Sequence, residues 1–339
     1  MTAAEGFDYV IVGAWSAGAV LANRLSADAS VRVCLIEAGP QDKSPFITVP
    51  LGVMKLTKDP RHNWLFTSAP QAGLGGREVS IPRGKVLGGS SAINGMIYIR
   101  GHRADYDAWA AAGCVGWGYD DVLPHFKRSE DNRRAGIDGA VHGVGGELAV
   151  SDLRDPNPVD RDFIEAAGHL QLRACADFNA AEPEGMGIYQ VTQKDGKRHS
   201  TGRAFLAPIR GRANLHVLTG AEVLRVMVNE GRAAGVVLRR GGAEESVHAR
   251  GEVILSAGAI GSPDVLLRSG IGPGAQVAGF GEVIHDLPGV GQNLQDHVDC
   301  MVICKSRSRT PYGISIPALP RLAMDGLNWI FGNRGMLAS

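Results

Sequence analysis

The sequence has no excess of charge of either sign: Lys and Arg together number 35, as do Asp and Glu, so the formal net charge is zero. No dense run of Lys or Arg occurs, which excludes the electrostatic footprint of a nucleic-acid or membrane-surface binder and leaves a small molecule as the expected partner. No uninterrupted apolar stretch reaches the roughly 18 residues that a membrane-spanning helix needs. The opening residues, Met1–Gly6, lack a basic segment followed by an apolar one, so no secretory leader is legible and a cytoplasmic location is expected. Cysteine is sparse. Cys34, Cys114, Cys175, Cys300 and Cys304 form no C-x-x-C pair and no even set of short spacings, which argues against a zinc site or a disulfide framework. Cys300 and Cys304 could share a helix face, but Met301, Val302 and Ile303 between them favour buried, inert thiols over metal ligands, and no metal site is expected.

Glycine, by contrast, is plentiful at 46 residues. No fixed period organises it, which excludes collagen-like and solenoid folds, and its clusters mark turns close to a ligand. With 339 residues, 44% hydrophobic and 21% charged, the chain suffices for one large domain or two ordinary ones.

Asp8–Val12 is a short β-branched run, followed by a glycine turn and the Ala- and Leu-rich helical stretch Ala17–Leu25. Val31–Ile36 is an apolar run typical of a strand buried on both faces, and Glu37 stands at its end. This is a βαβ unit. From about Gly39 to Gly101 periodicity fades under repeated prolines, and so long an irregular stretch is usually functional. Helices are expected over Ala104–Ala112, over Tyr119–Ser129 with a kink at Pro124, and over Asn157–His169 with Asn157 as cap and Pro158 in first place. Leu215–Thr219, Glu222–Val228, Gly235–Arg239 and Glu245–Ala249 read as an antiparallel meander, and Val253–Ser256 as one further buried strand. A helix should follow from Pro263, capped by Ser262 and stopped by Ser269-Gly270. The expected fold class is α/β: a Rossmann-like, doubly wound sheet with an antiparallel meander and inserted segments.

The turn itself reads "VIVGAWSAG". Gly13 and Gly18 hold the first and third positions of G-x-G-x-x-G, and Glu37 is the acidic residue expected roughly 20 residues on, placed for a ribose hydroxyl. A carboxylate there favours FAD or NAD over NADP. Trp15 stands where the second glycine lets backbone N–H groups touch a pyrophosphate. Its indole must swing aside or lie in the phosphate's space, which predicts weakened dinucleotide binding. A second stretch, "PRGKVLGGSSAINGMIYIR" (Pro82–Arg100), combines close backbone approach at Gly84, Gly88, Gly89 and Gly95 with neutral donors at Ser90, Ser91 and Asn94. Arg83 and Lys85 add positive charge. The third, "GAIGSPDVLLRSGIG" (Gly258–Gly272), is a well-capped helix directly after a strand.

The opening turn, Glu37-Ala38-Gly39 and the two later stretches together resemble the GMC oxidoreductases, the flavoenzyme family of glucose, methanol and choline oxidases and dehydrogenases. The overall flavour is closest to the choline and alcohol dehydrogenase branch. "RHSTGRAFL" (Arg198–Leu206) and "GVGQNLQDH" (Gly289–His297) extend the resemblance along the chain. It implies an FAD-dependent oxidoreductase acting on the CH–OH group of an alcohol or choline-like substrate, with hydride passing from the alcohol carbon to flavin N5. Residue by residue, it puts Gly13, Ala14, Trp15, Ser16, Ala17 and Gly18 at the FAD pyrophosphate and Glu37 and Ala38 at the adenosine ribose. It puts Arg83, Val86, Gly88, Ser90, Asn94, Gly95, Met96 and Ile97 along the flavin side and Val223 at the adenine. Some relatives attach FAD through a histidine; Ile93 occupies that position here, so FAD is expected to be non-covalent.

The resemblance further implies a nucleotide domain from about residues 7–40, 80–110 and 195–300, with 40–80, 110–195 and 300–339 as irregular or partial substrate-domain segments. Family members continue well beyond Ser339 and carry there the catalytic His with its His or Asn partner, so no catalytic residue is expected in this sequence. His102, His199, His285 and His297 read as loop or capping side chains. Two alternatives remain open at this point. The chain could be a truncated, catalytically incompetent remnant, or half of a split enzyme completed by a second polypeptide. An NAD-dependent dehydrogenase shares the opening unit but leaves Pro82–Arg100 unexplained.

Overall fold

The β-branched run at the start forms strand β1 (Phe7–Val12) in the computed structural model, which describes residues 6–297, 308, 311–313 and 318–338. Helix α1 (Ser16–Leu25) and strand β2 (Val33–Glu37) complete the opening unit. Both strands lie inside the sheet, so Val10, Ile11, Cys34, Leu35 and Ile36 are buried whichever face they point to. Gly18 packs α1 onto this turn: a Cβ there would stand 1.9 Å from the Gly13 carbonyl oxygen.

Four further strands follow much later in the chain: β3 (Leu215–Thr219), β4 (Ala221–Asn229), β5 (Arg232–Arg240) and β6 (Ala243–Leu255). The six-stranded sheet has the order β4-β5-β6-β1-β2-β3. Strands β6, β1, β2 and β3 run parallel, with Val10 opposite both Val253 and Cys34 and Ile36 opposite Leu218. Strands β4, β5 and β6 form the antiparallel meander, with Val236 between Val226 and Val247.

Two expectations about these strands need correcting. Leu215–Thr219 is not part of the meander but the edge of the parallel sheet beside β2. Asn214 anchors its start, donating from Nδ2 to the carbonyls of Ser26, Asp28 and Val31, and Gly220 (φ 64°) turns the chain away at its end. Glu245–Ala249 and Val253–Ser256 are also one strand rather than two. The glycine between them, Gly251, makes no turn; it lets β1 approach, since a Cβ would lie 2.6 Å from the Asp8 carbonyl oxygen. The strand therefore pairs antiparallel with β5 in its first half and parallel with β1 in its second.

Helix α2 (Gly258–Arg268) begins five residues before the expected Pro263, which lies inside it. Gly258, at φ 80°, takes the chain from strand to helix. The Ser262 hydroxyl accepts the N–H of Ala257 at 3.0 Å, so it closes the strand–helix corner rather than capping a helix that starts beside it. Gly270 (φ 82°) ends the helix in the left-handed conformation expected of a C-terminal glycine.

The chain divides into two compact units. The sheet belongs to the first, made of Met1–Lys43, Leu56–Ile93 and Thr201–Val302. The second comprises Ser44–Lys55, Asn94–Ser200 and Ile303–Ser339 and contains the helices Arg103–Ala111, Tyr119–Ser129, Pro158–His169 and Leu319–Gly332. Asn157 Oδ1 accepts the Val159 N–H at the start of the third of these. Residues 56–80 lie in the first unit and 94–110 in the second, so the dividing line at Ile93–Asn94 runs through the second glycine-rich stretch. Within the second unit, buried His142 sits between Glu130 and Asp177, 2.8 Å from each carboxylate, and Arg100 pairs with Glu130 at 2.7 Å. Among the described residues, no helix is long and apolar enough to cross a membrane. Cys300 and Cys304 lie outside the described residues.

Candidate functional site

A cavity of about 360 Å³ opens in the first unit, lined at the strand ends by Val12, Gly13, Ile36, Glu37 and Ala38 and from β4 by Ala221, Glu222 and Val223. Its volume is at the small end of the roughly 300–1,000 Å³ typical of small-molecule sites. The carboxyl ends of parallel strands are where open α/β sheets bind ligands. Of the residues expected at a nucleotide, the fold brings Gly13, Trp15, Glu37, Ala38 and Val223 to this one cavity.

Glu37 is 1% exposed. One carboxylate oxygen accepts the Ala14 N–H at 3.0 Å and the other the Gly39 N–H at 2.9 Å. Burial pushes its pKa up to about 7, against the pull of those two N–H groups and of Lys85. The carboxylate therefore holds the glycine turn in shape as well as facing the cavity. Gly13 is at φ 95°, and a Cβ there would meet the Ser256 carbonyl oxygen at 2.7 Å, so only glycine fits between β1 and the end of β6.

Trp15 occupies the position before the first residue of α1 and makes no capping hydrogen bond; no acidic side chain lies in the helix's first turn. Ser16 and Ala17 are exposed, and no acidic side chain of the helix's own first turn offsets its positive end. The half-buried indole lies between two backbones. A Cβ on Gly89 would fall 2.4 Å from its Cγ, and one on Gly258 would fall 2.4 Å from its Cζ3.

The second glycine-rich stretch works in two places. In the first unit, Gly88 donates its N–H to the Ala14 carbonyl at 2.8 Å, tying this loop to the turn. Ser90 Oγ accepts the Gly84 N–H, Val86 is fully buried, and Ser91 and Thr201 share a 2.9 Å hydroxyl contact. Arg83 does not line the cavity; it pairs with Asp296 at 2.9 Å, while Lys85 lies over the Trp64 ring. In the second unit, Asn94 accepts from the Met96 N–H and from Arg198, and Gly95, Met96 and Ile97 line a separate cavity of about 340 Å³. Of the four histidines near motifs, His102 caps the helix Arg103–Ala111 and His199 accepts the Ala149 N–H, while His285 and His297 are exposed.

Several cavity residues had no role in the sequence reading. Trp64 and Phe66, stacked at 5.7 Å, come from the irregular proline-rich stretch, where no periodicity marks them. Asp264 and Arg268 come from α2 and pair with each other one helical turn apart, an i, i+4 spacing visible in the sequence. Arg268 Nε is buried and has no acceptor among the described residues. A ligand acceptor there would satisfy it, so these residues fit an adenine nucleotide.

A parallel sheet, a glycine turn into a helix and an acidic residue at the end of the second strand together define a dinucleotide-binding domain of the Rossmann type. The chain belongs to the GMC oxidoreductases, a family of FAD-binding flavoproteins whose sequence pattern matches residues 7–299. It is similar to an alcohol dehydrogenase (acceptor) of Pseudomonas putida, with 47% identity over 336 residues covering 98% of this chain and 61% of that protein. An oxygen-dependent choline dehydrogenase of Photobacterium profundum is 43% identical over 300 residues, 86% of this chain and 52% of the relative. The fold resembles an FAD-dependent oxidoreductase from Chaetomium thermophilum, with a TM-score of 0.85 and 30% identity over 98% of this chain and 60% of that one. The chain thus spans a little over half the length of the curated relatives it matches.

Proposed function

We propose that this chain is the nucleotide-holding part of an FAD-dependent oxidoreductase acting on the CH–OH group of an alcohol or choline-like substrate. The observation that carries the reading is the cavity where the Gly13 turn, buried Glu37, Val223 and α2 converge. FAD, when bound, supplies the acceptor for the hydride taken from the alcohol carbon.

The chain's own residues bind and orient. The N–H groups of Ser16 and Ala17, which lie in the first turn of α1 and have no intrahelical acceptor, offer donors to phosphate at its positive end. Arg268 Nε offers a further donor within the cavity, and Glu37 has lone pairs left for a ribose hydroxyl. Val86, Gly88 and Ser90 shape the adjoining loop. Asn94, Gly95, Met96 and Ile97 are the proposed flavin-side contacts, and Ile93 provides no nucleophile for a covalent link, so FAD is held non-covalently. Turnover also needs the groups that the family carries beyond the matched region, on this polypeptide or on a second one. A cytoplasmic location accompanies this reading.

The test is the visible absorption spectrum of the purified chain after incubation with FAD and gel filtration. Retained flavin bands are expected. A cooperatively melting protein that stays colourless both as it stands and as Trp15→Gly overturns the reading.

A further inference from the structure

The side chain at position 15 is in contact with two backbones that carry no side chain of their own. Gly89, at φ 53°, belongs to the second glycine-rich stretch, and Gly258, at φ 80°, opens α2. Neither could carry even a methyl group with the indole where it is, because a Cβ on either would stand 2.4 Å from a ring carbon. The ring therefore bridges the gap between these loops. It does so at the N-terminus of α1, beside the first-turn N–H groups of Ser16 and Ala17, which have no intrahelical acceptor. The same indole is a wall of the cavity that holds Glu37 and Val223.

We propose that Trp15 determines which adenine nucleotide this chain takes. As placed, the indole is a wall of the cavity beside the start of α1, where a helix N-terminus favours a phosphate. An adenosine monophosphate enters with the side chain in position, whereas FAD, whose pyrophosphate must cross the start of α1, enters only after the ring has left Gly89 and Gly258. The proposal rests on the FAD reading above and adds to it that the chain prefers the smaller nucleotide. The physical reason is that the longer ligand must displace a half-buried aromatic ring from two close backbone contacts before it gains its own. AMP makes no such demand.

The test is calorimetric titration of the full chain, Trp15→Gly and Trp15→Ser with AMP, ADP and FAD. Serine is a favourable residue at this helix position, so it preserves the fold if the glycine variant does not, and a thermal melt of each protein checks this. Both variants are expected to bind FAD at least about tenfold more tightly than the parent, about 1.4 kcal/mol. AMP affinity should stay within about threefold and ADP should fall between. Equal FAD affinity in all three proteins overturns the proposal and leaves the FAD reading standing. An equal gain for AMP and FAD also overturns it, because the ring then obstructs the adenosine itself. If no protein binds any of the three nucleotides, the FAD reading fails together with the proposal.

Discussion

Glu37 accepts the backbone N–H of Ala14 at 3.0 Å, so the acidic residue at the end of β2 is hydrogen-bonded to the turn that follows β1. Burial pushes its pKa from the ordinary 4.5 up to about 7. A carboxyl whose folded pKa lies above its unfolded value contributes stability that is fully present below about pH 4.5 and is lost as the pH rises to about 7. The loss amounts to at most about 3 kcal/mol. Urea unfolding at pH 4.5 and pH 7.5 should show this decline. Glu37→Gln should flatten it: the variant should be about 1–3 kcal/mol less stable than the parent at pH 4.5, because the amide nitrogen must face the N–H of either Ala14 or Gly39, and the deficit should vanish by pH 7.5, where the parent's own carboxyl has lost its advantage. An unchanged slope in the variant assigns the decline to another group.

Gly39 and Gly95 are both glycines of the expected cofactor stretches, and they should respond oppositely to alanine. A Cβ at Gly39 would stand 1.9 Å from the Lys85 carbonyl oxygen, a backbone atom that cannot rotate away. Around Gly95 nothing lies within 4 Å. Gly39→Ala should cost about 3 kcal/mol or more, whereas Gly95→Ala should stay within about 0.5 kcal/mol. Denaturant midpoints compare the two directly.

His142 supplies a second pH dependence in a different window. Its hydrogen bond to Glu130 raises its pKa above 6.5, against the opposing effect of burial, and Asp177 acts in the same direction. Stabilisation is therefore fully present below pH 6.5 and is lost as the pH rises through the raised folded value. His142→Ala removes one donor from buried Glu130, which keeps its pair with Arg100, and removes the partner of Asp177. It should cost about 1–3 kcal/mol at pH 6 and clearly less at pH 9. An identical cost at both pH values would show that the imidazole is not charged in the folded state.

Arg268 presents a buried Nε without an acceptor among the described residues. Arg268→Gln should weaken AMP and FAD binding alike, by about tenfold or more, since a hydrogen bond from a charged donor contributes about 1.5–3 kcal/mol. This pattern separates it from Trp15, whose replacement should favour FAD selectively. Unchanged affinity for both nucleotides would place Arg268 outside the binding set.

Local sequence fixed much of the first unit and of its site. The β-branched runs at Asp8–Val12 and Val31–Ile36 became β1 and β2 because a fully buried parallel strand needs continuous apolar residues, and no partner elsewhere alters that need. Gly13, Gly18 and Glu37 were legible for a similar reason: a tight turn, a close helix contact and a strand-end carboxylate each demand one residue type at a fixed spacing. What spacing cannot express is which segments meet. Leu215–Thr219 has the composition of a meander strand, and only pairing with β2 made it an edge of the parallel sheet. Gly251 looks like a turn in sequence and proved to be the point where two strands approach closely. Trp64, Phe66 and Arg268 reach the cavity from segments far apart in the chain, brought there by the packing of the loops and α2. The same holds for Trp15. Sequence showed that an indole replaced a glycine, but its seat between Gly89 and Gly258 is a three-body contact over more than two hundred residues, which only the folded sheet brings together.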